Sequence, residues 1–566
     1  MSAAAPDIRR AGDRALLVDV GSLESAMAWH AELQSDPLAG QLEVVGAART
    51  VLVRFASAAA AEAAVASLRG LAPAHTAPSA AREHVLDVVY DGDDLAETAR
   101  LLGMSSDALV EAHTATVWRA AFGGFAPGFA YCAAVSGPAA EAEGSSAAHP
   151  LWDVPRLTEP RTAVPAGAVG LAGPFSAVYP RRSPGGWRLI GRTDALLWDG
   201  DSEHPALLAP GDLVRYRAVR APARAAAAES DRSTAAESDR SAEGEGPSAR
   251  APSEAHEDDE RPTRADPAAT RTVLRVDDAG LLTLIEDAGR PGHGDLGVSP
   301  SGAADTASAE AANAAVGNAP GAPVLEIVGA ARFTCLADAA VAVTGAAGGT
   351  IVAAQLLRAG DALALEPAPD LARSYLAVRG GATAPHEVGS ASADVLAGLG
   401  PAPLLAGAEV SVPVRAPAAS AGHATENPAR IRRDEQAAAA PRTEGTVVLR
   451  AVAGPRDDWF PDRERDRFSR VRWVVGEKSN RVGTRLEAAD GAAPLTRSRE
   501  GELPSEGTVT GAVQVPPNGA PVVFGPDRPV TGGYPVIATV VTDDLDLLAQ
   551  LPPGASVRFD LVDPHG

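Results

Sequence analysis

The sequence predicts a mainly β protein with some α+β structure, carrying barrel or sandwich domains in both halves. Short runs of β-branched and aromatic residues recur along the chain, and Gly or Pro separates most of these runs from the next. The length of 566 residues corresponds to roughly three to five domains. We therefore expect several β domains and, at the N-terminus, one small α+β domain.

The first segment, residues 1–114, has the pattern of that α+β domain. Strand-like ALLVDV and LEVVGAARTVLVRF alternate with two runs of helical spacing, SLESAMAWHAELQ and AAAAEAAVASLRGL. The strand-like EHVLDVVY and a pair of helical runs complete the segment. From residue 115 to residue 217 the pattern changes to short strands between closely spaced turn residues, which favours a β-barrel.

Two segments of biased composition divide the rest of the chain. Residues 218–271 are rich in Ala, Ser, Glu, Asp and Pro and hold a near-repeat of AAESDRS. Such a segment cannot bury a core, so it predicts a disordered linker. Residues 417–443 predict a second linker or insertion.

The second half is predicted to hold a β-rich domain at residues 272–416 and a second β-barrel at residues 444–566. Strand candidates include VLEIVGA, SYLAVRG, PVIATVV and SVRFDLV. The helical exception, ADTASAEAANAAVG, starts with Ala304 and Asp305 after SGA. Its small residues suggest a helix that packs closely on a sheet.

The basic residues are nearly all arginine, because Lys478 is the only lysine. A phosphate-binding loop of the Walker type needs a lysine directly after glycine, whereas Lys478 follows Glu477, so this type of nucleotide site is excluded. No Met-Lys pair is present either, so the chain has no biotin attachment site. Anion recognition must therefore depend on arginine and backbone amides.

Charge and composition exclude further classes of function. The chain has 73 acidic against 50 basic side chains, which argues against a nucleic-acid partner. Neither a long apolar run nor a signal-like N-terminus is found, so we expect a cytoplasmic protein without membrane contact. Cys132 and Cys335 are expected to be buried apolar residues, and no motif predicts a protein-bound metal.

Arginines combine with Gly and Pro turns in PRLTEPRTAVPAGAVGLAG and YPRRSPGGWRLIGRT, within residues 155–193. Guanidinium groups beside exposed backbone amides suit a carboxylate or a phosphoryl group. The same pattern also fits a barrel whose tight turns and arginine-bearing surface bind no ligand.

His113 ends a helical run just before GGFAPGFAY, where an imidazole could act as a general base. A capping or core histidine explains the position equally well. The aromatic residues that follow are more typical of a packed hairpin than of a stacking platform; they are Phe122, Phe125, Phe129 and Tyr131.

Polar side chains are concentrated in the second-half loop EDAGRPGHGDLGVSPSGAAD, whose carboxylates, imidazole and hydroxyls could orient a water or bind an amide. The loop lacks a G-x-S-x-G elbow, so Ser301 is not assigned as a hydrolase nucleophile. SNRVGTRLE, LPSEGTVTGAVQVPPNGAPVVF and PVTGGYPVIATV could present an amide-recognising surface. Part of that pattern would arise in any antiparallel barrel.

These motifs resemble a known pair of proteins. GFAPGFAY and the two arginine-containing motifs resemble the B subunits of bacterial ATP-dependent 5-oxoprolinase, also described as allophanate hydrolase subunit 1 and as sporulation-kinase inhibitors. The second-half motifs resemble the C subunits of the same enzyme, the related allophanate hydrolase subunit 2 group. The resemblance covers most of both halves, in the usual order.

The resemblance implies a natural fusion of the B and C subunits with cyclophilin-like β-barrel domains in each half. It implies an enzyme that acts with a separate LamB/YcsF-type protein, the A subunit, and opens the lactam of 5-oxoproline to L-glutamate. ATP, with Mg²⁺ as its counter-ion, is the implied cofactor, because phosphorylation of the lactam oxygen creates a leaving group before water attacks. Which of the three subunits binds ATP stays open.

Motif matching also implies site residues. The catalytic candidates, to which the residue pattern adds His113, are Asp287, Arg290, Ser301 and Asp305. The candidates for binding substrate or ATP are Arg156, Arg161, Ser183, Gly185, Gly186, Trp187, Asn480, Arg481, Glu506 and Gln514. Where the family commonly has S-G-A-M-D, this chain has Ala304 in place of the methionine.

Two alternatives remain at the level of sequence. The fused modules also resemble the carboxyltransferase region of urea carboxylase, in which a biotin carrier delivers carboxylate to urea. This chain would need a separate carrier and a separate biotin carboxylase for that reaction. The group of B subunits further includes inhibitors of a histidine kinase, which leaves a non-catalytic binding protein as the third interpretation.

Overall fold

The computed structural model describes residues 6–73, 81–136, 152–220, 269–348, 353–414, 442–443, 445–501 and 503–563. The predicted linkers at 218–271 and 417–443 lie almost wholly outside the described residues. The predicted mainly β fold with barrel domains in both halves is confirmed.

The N-terminal domain is a four-stranded antiparallel sheet with two helices on one face. Its elements are β1 (Asp7–Arg10), β2 (Ala15–Asp19), α1 (Leu23–Ser35), β3 (Gln41–Gly46), β4 (Thr50–Phe55) and α2 (Ala58–Gly70), and the strand order is β1-β2-β4-β3. The hydroxyls of Ser22 and Ser57 cap the two helices by accepting a backbone hydrogen bond from the first turn. Leu33 and Leu68, both fully buried, fix the helices to the sheet.

The first barrel follows. Its elements are β5 (Glu83–Val88), α3 (Leu95–Leu101), α4 (Ser106–Ala115), β6 (Val117–Gly124), β7 (Ala126–Ser136), β8 (Arg161–Val164), β9 (Ala168–Ala172), β10 (Phe175–Val178), β11 (Ser183–Gly185), β12 (Arg188–Arg192) and β13 (Leu213–Ala218). The strand order is β12-β9-β10-β7-β6-β13-β5, and a bridge between Val89 and Arg192 joins its two edges into a ring. β8 and β11 form a separate two-stranded ribbon.

The first domain boundary differs from the predicted one at residue 114. β5 pairs in parallel with β13, with Glu83 opposite Leu213, and α4 packs on β13, so this strand and the helical pair belong to the barrel. The local pattern predicts each of these elements correctly. It cannot assign them to a domain, because their partner strand lies at the far end of the first half.

The third domain contains two sheets and one helix. Its elements are β14 (Thr270–Asp278), β15 (Leu282–Glu286), α5 (Thr306–Val316), β16 (Val324–Val328), β17 (Ala331–Cys335), β18 (Ala339–Gly345), β19 (Gln355–Leu357), β20 (Ala362–Leu365), β21 (Arg373–Val378) and β22 (Glu409–Pro413). The strand orders are β20-β17-β14-β22 and β15-β16-β21-β18-β19, and the buried faces of both sheets contribute to one core. The helix predicted near Asp305 is present, and the Asp305 carboxylate accepts a 2.8 Å hydrogen bond from the Ser308 amide.

The second barrel completes the chain. Its elements are β23 (Arg442–Thr443), β24 (Thr446–Ala453), α6 (Asp462–Arg470), β25 (Trp473–Val475), β26 (Gly483–Ala488), β27 (Glu506–Gly507), β28 (Ala512–Gln514), β29 (Val522–Phe524), β30 (Thr531–Gly532), β31 (Val536–Val540), α7 (Leu545–Ala549) and β32 (Ser556–Leu561). The order β24-β31-β28-β29-β26-β25-β32 closes through a parallel pair between β32 and β24. β27 and β30 form a separate ribbon.

The two barrels have the same topology, strand for strand, including the parallel closing pair and the separate ribbon. Side chains repeat as well. Trp118 Nε1 donates to the carbonyl of His113 at 3.2 Å, and Trp473 Nε1 donates to the carbonyl of Phe468 at 3.0 Å. The equivalence identifies residue pairs that occupy the same place in the two halves.

The domains of the two halves interlock. The N-terminal sheet packs Leu17 and Leu52 against Val509 and Phe524 of the second barrel. Polar contacts join the same surfaces, including an ion pair of 3.1 Å between Asp19 and Arg456.

Both cysteines are buried, as predicted. Within the described residues, none of the helices is long and apolar enough to span a bilayer.

Candidate functional site

A cavity of about 170 Å³ lies at the seam between the two barrels. The first barrel contributes an aromatic wall made of Phe125, Phe129, Tyr131, Tyr179 and Trp187. Beside that wall stand Arg156, Gly185 and Gly186. The opposite wall comes from the second barrel and consists of Leu503, Ser505, Thr531, Gly532 and Gly533. Neither half of the chain could enclose this space alone.

The aromatic wall is rigid because its rings pack edge to face. The Phe129 ring lies 5.3 Å from Tyr179 and 5.5 Å from Trp187, both close to perpendicular. Tyr131 stacks on Phe122 at 4.4 Å. The predicted packing of this hairpin is therefore present, and the packed rings also line the cavity.

The turn between β6 and β7 brings Phe125 to the cavity. Phe125 has φ of +62°, a conformation that costs a non-glycine residue energy. A Cβ at Gly124 would overlap the Thr531 side chain, and a Cβ at Gly123 would overlap the Asp295 carbonyl. The turn therefore needs both glycines, because the second half of the chain passes directly against it.

Each barrel offers a glycine pair to the cavity from its separate ribbon. Gly185 and Gly186 precede Trp187, and Gly532 and Gly533 precede Tyr534 at the equivalent place. A Cβ at Gly185 would overlap the Tyr179 hydroxyl. Backbone thus approaches the cavity more closely than any side chain would allow.

Three hydroxyls converge at the seam. Tyr131 lines the cavity together with Ser505 and Thr531 of the second barrel, whose hydroxyls act to lower the pKa of Tyr131. Burial raises the pKa of Tyr131, and the charge of Arg156 opposes that rise. The tyrosine therefore stays protonated near neutral pH and keeps a proton to donate. Arg156 is exposed at the cavity and adds positive charge there.

Two ion pairs, one part-buried and one buried, stand behind the cavity walls. Arg161 pairs with Asp94 at 2.8 Å, and its Nη1 donates to the Trp187 carbonyl at 3.4 Å. In the second barrel Glu506, next to Ser505, is bonded by both Nε and Nη2 of Arg456.

The two pairs occupy equivalent positions with reversed charge. Arg161 lies opposite Gly185 in its ribbon, and Glu506 lies opposite Gly532. The amides of their partners, Asp94 and Arg456, both donate to the strand that follows the ribbon. Arg161 and Glu506 therefore support the walls and do not line the cavity.

Other binding candidates of the two barrels hold turns. Ser183 donates to the Arg181 carbonyl at 3.3 Å, and Gln514 donates to the Tyr534 carbonyl at 3.1 Å. The Asn480 side chain accepts hydrogen bonds from the Val482 and Gly483 amides. None of the three lines the cavity.

Arg481 is the centre of a second, internal cluster. Its guanidinium is 2% exposed and binds Asp527 through Nε and Nη2, at 2.9 and 2.8 Å. Nη1 binds Glu326 at 2.8 Å, and Nη2 also donates to the Gly302 carbonyl. Ser301, with φ of +51°, donates to the Asp527 carboxylate. The cluster fastens the third domain to the second barrel.

Glu286 adds a third carboxyl group to this cluster. It is fully buried, 3.4 Å from Arg481. Burial raises the pKa of Glu286 well above its ordinary value, and the nearby Glu326 and Asp527 carboxylates raise it further against the effect of Arg481. Arg373, 3.3 Å from Glu326, adds a second cation beside the carboxyl groups of the cluster.

The remaining second-half candidates hold the loop around this cluster. Asp287 accepts hydrogen bonds from Ser390 and Ser392 and from two backbone amides, and these bonds lower the pKa of Asp287 in spite of burial. Arg290 donates to carbonyls of the same serine loop. Asp305 caps α5 and accepts a 2.6 Å bond from Gln550 of the second barrel. These residues lie together, away from the cavity lining.

His113 lies inside the first barrel and is fully buried. Its ring is bonded to the Tyr90 hydroxyl at 2.7 Å and to the Ser176 hydroxyl at 2.9 Å. Burial lowers the pKa of His113 to about 3, so the ring is neutral at physiological pH. This is the core position that the sequence left open, and it is not part of the cavity.

In the second barrel, the N-terminal domain packs on the face that corresponds to the cavity face of the first barrel. Val164 and Leu189 of the first barrel face the aromatic wall. Their equivalents, Val509 and Val536, pack instead against Leu17 and its neighbours. Within the described residues, no group of three or more potential ligands could hold a metal ion.

Of the binding candidates, the cavity brings together Arg156, Gly185, Gly186 and Trp187. The sequence reasoning missed Tyr131 and Tyr179 as site residues, and also Ser505, Thr531 and the second glycine pair. One signal was available. GGWRLI in the first half and GGYPVI in the second are the same turn and strand repeated, and pairing them points to a shared site.

Family models match both halves of the chain. The carboxyltransferase domain, subdomains C and D, matches residues 6–208, and the carboxyltransferase domain, subdomains A and B, matches residues 296–561. A crystal structure of TTHA0988 is 31% identical and aligns over 97% of this chain and 99% of that chain, with a TM-score of 0.71. The similarity to that structure therefore covers both halves at once.

Individual relatives match one half each. The C subunit of 5-oxoprolinase from Escherichia coli K12 is 34% identical over 51% of this chain and 90% of its own length. The B subunit of 5-oxoprolinase from Escherichia coli O157:H7 is 40% identical over 23% of this chain and 56% of its own length. A urea amidolyase of Lachancea kluyveri is 27% identical over 51% of this chain, which is 17% of that protein.

Proposed function

Because the chain belongs to the carboxyltransferase-domain family, and joins in one polypeptide the parts matched by the B and C subunits of 5-oxoprolinase, we propose that it is the B/C component of an ATP-dependent 5-oxoprolinase. With a separate LamB/YcsF-type A subunit it would open the lactam of 5-oxoproline to L-glutamate. The observation that carries this proposal is the cavity, to which both barrels contribute.

The size of the cavity supports a small cyclic substrate. A cavity of roughly 150 Å³ admits a benzene-sized ring. The volume here, about 170 Å³, therefore suits a five-membered lactam. Aromatic side chains form one wall and exclude water, while hydroxyls and Arg156 supply partners for a carbonyl and a carboxylate.

ATP does not fit the same cavity. Pockets for ligands of that size usually enclose roughly 300 to 1,000 Å³, and the chain has no Walker-type loop. We therefore assign the cavity to the small substrate and assign no step of the ATP chemistry to its residues.

Reconstitution tests the proposal. The full chain is mixed with a LamB/YcsF-type protein, ATP, Mg²⁺ and 5-oxoproline, and glutamate and ADP are measured. We expect equal amounts of the two products, and none when either protein is left out. Absence of glutamate from folded, mixed proteins would rule out the hydrolase.

A cavity-filling variant connects the reaction to the site. A Cβ at Gly186 would meet its nearest atoms only at 3.7 Å, so the fold should tolerate Gly186→Leu, which adds a side chain at a position of the cavity lining. We expect turnover to fall more than about tenfold with little change in melting temperature. Gly70→Leu, at the end of α2 with open space around it, is the matched control.

The second candidate is the carboxyltransferase component of a urea-carboxylating system, which the match to urea amidolyase favours. With a separate biotin carboxylase and carrier, such a component would make ATP use depend on bicarbonate and urea. Measuring ADP release with urea, with and without bicarbonate, distinguishes this function from lactam hydrolysis.

A further inference from the structure

One hydroxyl of the aromatic wall, that of Tyr131, lies in the cavity beside hydroxyls of the second barrel. Tyr131 is 6% exposed, lines the cavity, and is held by Phe122 on one face and by the Trp187 ring 5.5 Å away. Ser505 and Thr531, which the other half of the chain supplies, line the same cavity, and their hydroxyls act on the pKa of Tyr131. The packing of the ring thus holds this hydroxyl in the cavity, beside hydroxyls of the second barrel.

The hydroxyl can serve a ligand only as a neutral group. Because burial raises the pKa of Tyr131, the phenol keeps its proton at neutral pH. A phenol has one proton to donate and can accept as well, and the hydroxyls of Ser505 and Thr531 can do both. Rotation of the phenol O–H about its C–O bond can point its proton toward a ligand acceptor without moving any ring.

The charges around the cavity decide which ligand group this hydroxyl meets. A ring bearing a carboxylate and a lactam carbonyl has one anionic and one neutral acceptor. The exposed guanidinium of Arg156 suits the anion at the cavity opening. The uncharged hydroxyls of the cavity suit the neutral carbonyl, because the guanidinium is the stronger partner for the carboxylate.

We propose that the Tyr131 hydroxyl donates a hydrogen bond to the amide carbonyl of the substrate and so makes the site select lactams over rings without an amide. This inference rests on the proposed function and identifies the group that recognises the amide of the substrate. Ser505 and Thr531 act as positioning residues, because they orient the phenol proton.

Direct binding to the full chain tests this role. The dissociation constants of 5-oxoproline and of cyclopentanecarboxylate, which keeps the ring and the carboxylate but lacks the amide, are measured for wild type and for Tyr131→Phe. We expect wild type to prefer the lactam by about tenfold or more, and Tyr131→Phe to lose that preference. Tyr216→Phe, a buried tyrosine of the same barrel outside the cavity, should keep it.

A second variant keeps the proposal testable if Tyr131→Phe does not fold. Ser505→Ala with Thr531→Val leaves the phenol in place but removes the two hydroxyls that the second barrel brings to the cavity, and we expect a severalfold loss of lactam preference. An unchanged preference in either variant, equal weakening of both ligands, or no binding of either ligand by wild type overturns the inference. Tyr131-dependent lactam binding without glutamate formation would sustain the inference and reject the proposed hydrolase.

Discussion

A guanidinium buried as completely as that of Arg481 requires carboxylates around it, and the chain supplies them from two domains. Glu286 and Glu326 come from adjacent strands of the third domain, whereas Asp527 comes from a loop of the second barrel. The surrounding carboxylates raise the pKa of Arg481 well above its ordinary value in spite of burial. The residue therefore fixes the relative position of two domains.

Two substitutions at this cluster should differ strongly in their effect on the stability of the protein. Arg481→Met leaves Glu326 and Asp527 buried without their main cation, which typically costs about 3–5 kcal/mol. We expect a large drop in melting temperature, or no folded protein. Glu286→Gln keeps both arginines and the Glu326 and Asp527 carboxylates, and removes a carboxyl whose pKa is raised well above its ordinary value by burial, so its melting temperature should fall far less.

Thermal unfolding of both purified variants checks this prediction. Arg481 was also a candidate for substrate binding, and the same pair tests that hypothesis. Full stability of Arg481→Met with lost turnover would show that the guanidinium serves the substrate and not the domain junction.

Only some of the residues that the motifs indicate lie in the cavity, and the reason is physical. Gly185, Gly186 and Trp187 lie in the cavity, whereas Asp287, Arg290 and Asp305 hold the loop of an internal cluster. Both sets are polar or glycine-rich segments between strands. A sequence shows which residues a loop contains, but whether their polar atoms meet a ligand or another loop depends on long-range packing.

At the level of elements, the strands and helices follow their local patterns, and the errors lie in how they associate. β5 and its helical pair were predicted as elements and placed in the wrong domain, because a parallel partner strand cannot be inferred from spacing. The contact between the barrels that creates the cavity cannot be predicted from local sequence patterns either, since Tyr131 and Thr531 belong to different halves of the chain. Only the repeated GGWRLI and GGYPVI turns indicate it.

The repeated barrel shows how one element position can hold a polar or an apolar core. In the first barrel the rings of His113 and Tyr216 stack at 4.3 Å, and Ser176 bonds to both. In the second barrel Phe468 and Phe559 stack at 4.6 Å in the equivalent place. The fold therefore accepts hydrocarbon where the first barrel uses a hydrogen-bonded chain.

Replacing three members of the polar chain together should cost less than replacing His113 alone, although both changes leave the Tyr90 hydroxyl without its histidine partner. His113→Phe alone leaves buried hydroxyls without their partner, which costs about 1–3 kcal/mol. The triple variant His113→Phe, Ser176→Ala and Tyr216→Phe reproduces the second barrel's stack, so we expect its melting temperature to lie above that of the single variant.

The same variants should differ from wild type in acid. The pKa of His113 is lowered to about 3 in the folded chain, while the unfolded chain binds its proton near 6.5. Wild type therefore loses this contribution to stability as pH falls from about 6.5 toward 3. Melting temperatures of the triple variant should decline less than those of wild type over that range, and parallel decline would contradict the assignment.

For the whole molecule, the arrangement of domains makes each half depend on the other. The N-terminal sheet covers the face of the second barrel that corresponds to the cavity face of the first, and the first barrel's own cavity is closed by residues of the second. Of these two equivalent faces, that of the second barrel is covered by Leu17 and Leu52, whereas that of the first barrel lines the cavity.

The apolar character of this junction predicts how the halves behave once they are separated covalently. A protease site is placed between residues 220 and 269, and the cleaved chain is examined by size-exclusion chromatography. The junction between the N-terminal sheet and the second barrel buries Leu17, Val45 and Leu52. We therefore expect the two fragments to elute together at both low and high salt. Separation at high salt would mean that ion pairs such as Asp19 with Arg456 hold the halves.

A pair of leucine substitutions separates an effect on the association of the halves from an effect on overall stability. Leu17→Ala removes a side chain at the junction between the N-terminal sheet and the second barrel, whereas Leu33→Ala removes one from the core of the N-terminal domain. Each deletes a buried leucine and should destabilise by about 2–5 kcal/mol. Only Leu17→Ala should raise the dissociation constant of the cleaved halves, and with it lower lactam binding, because the cavity exists only while both barrels are in place.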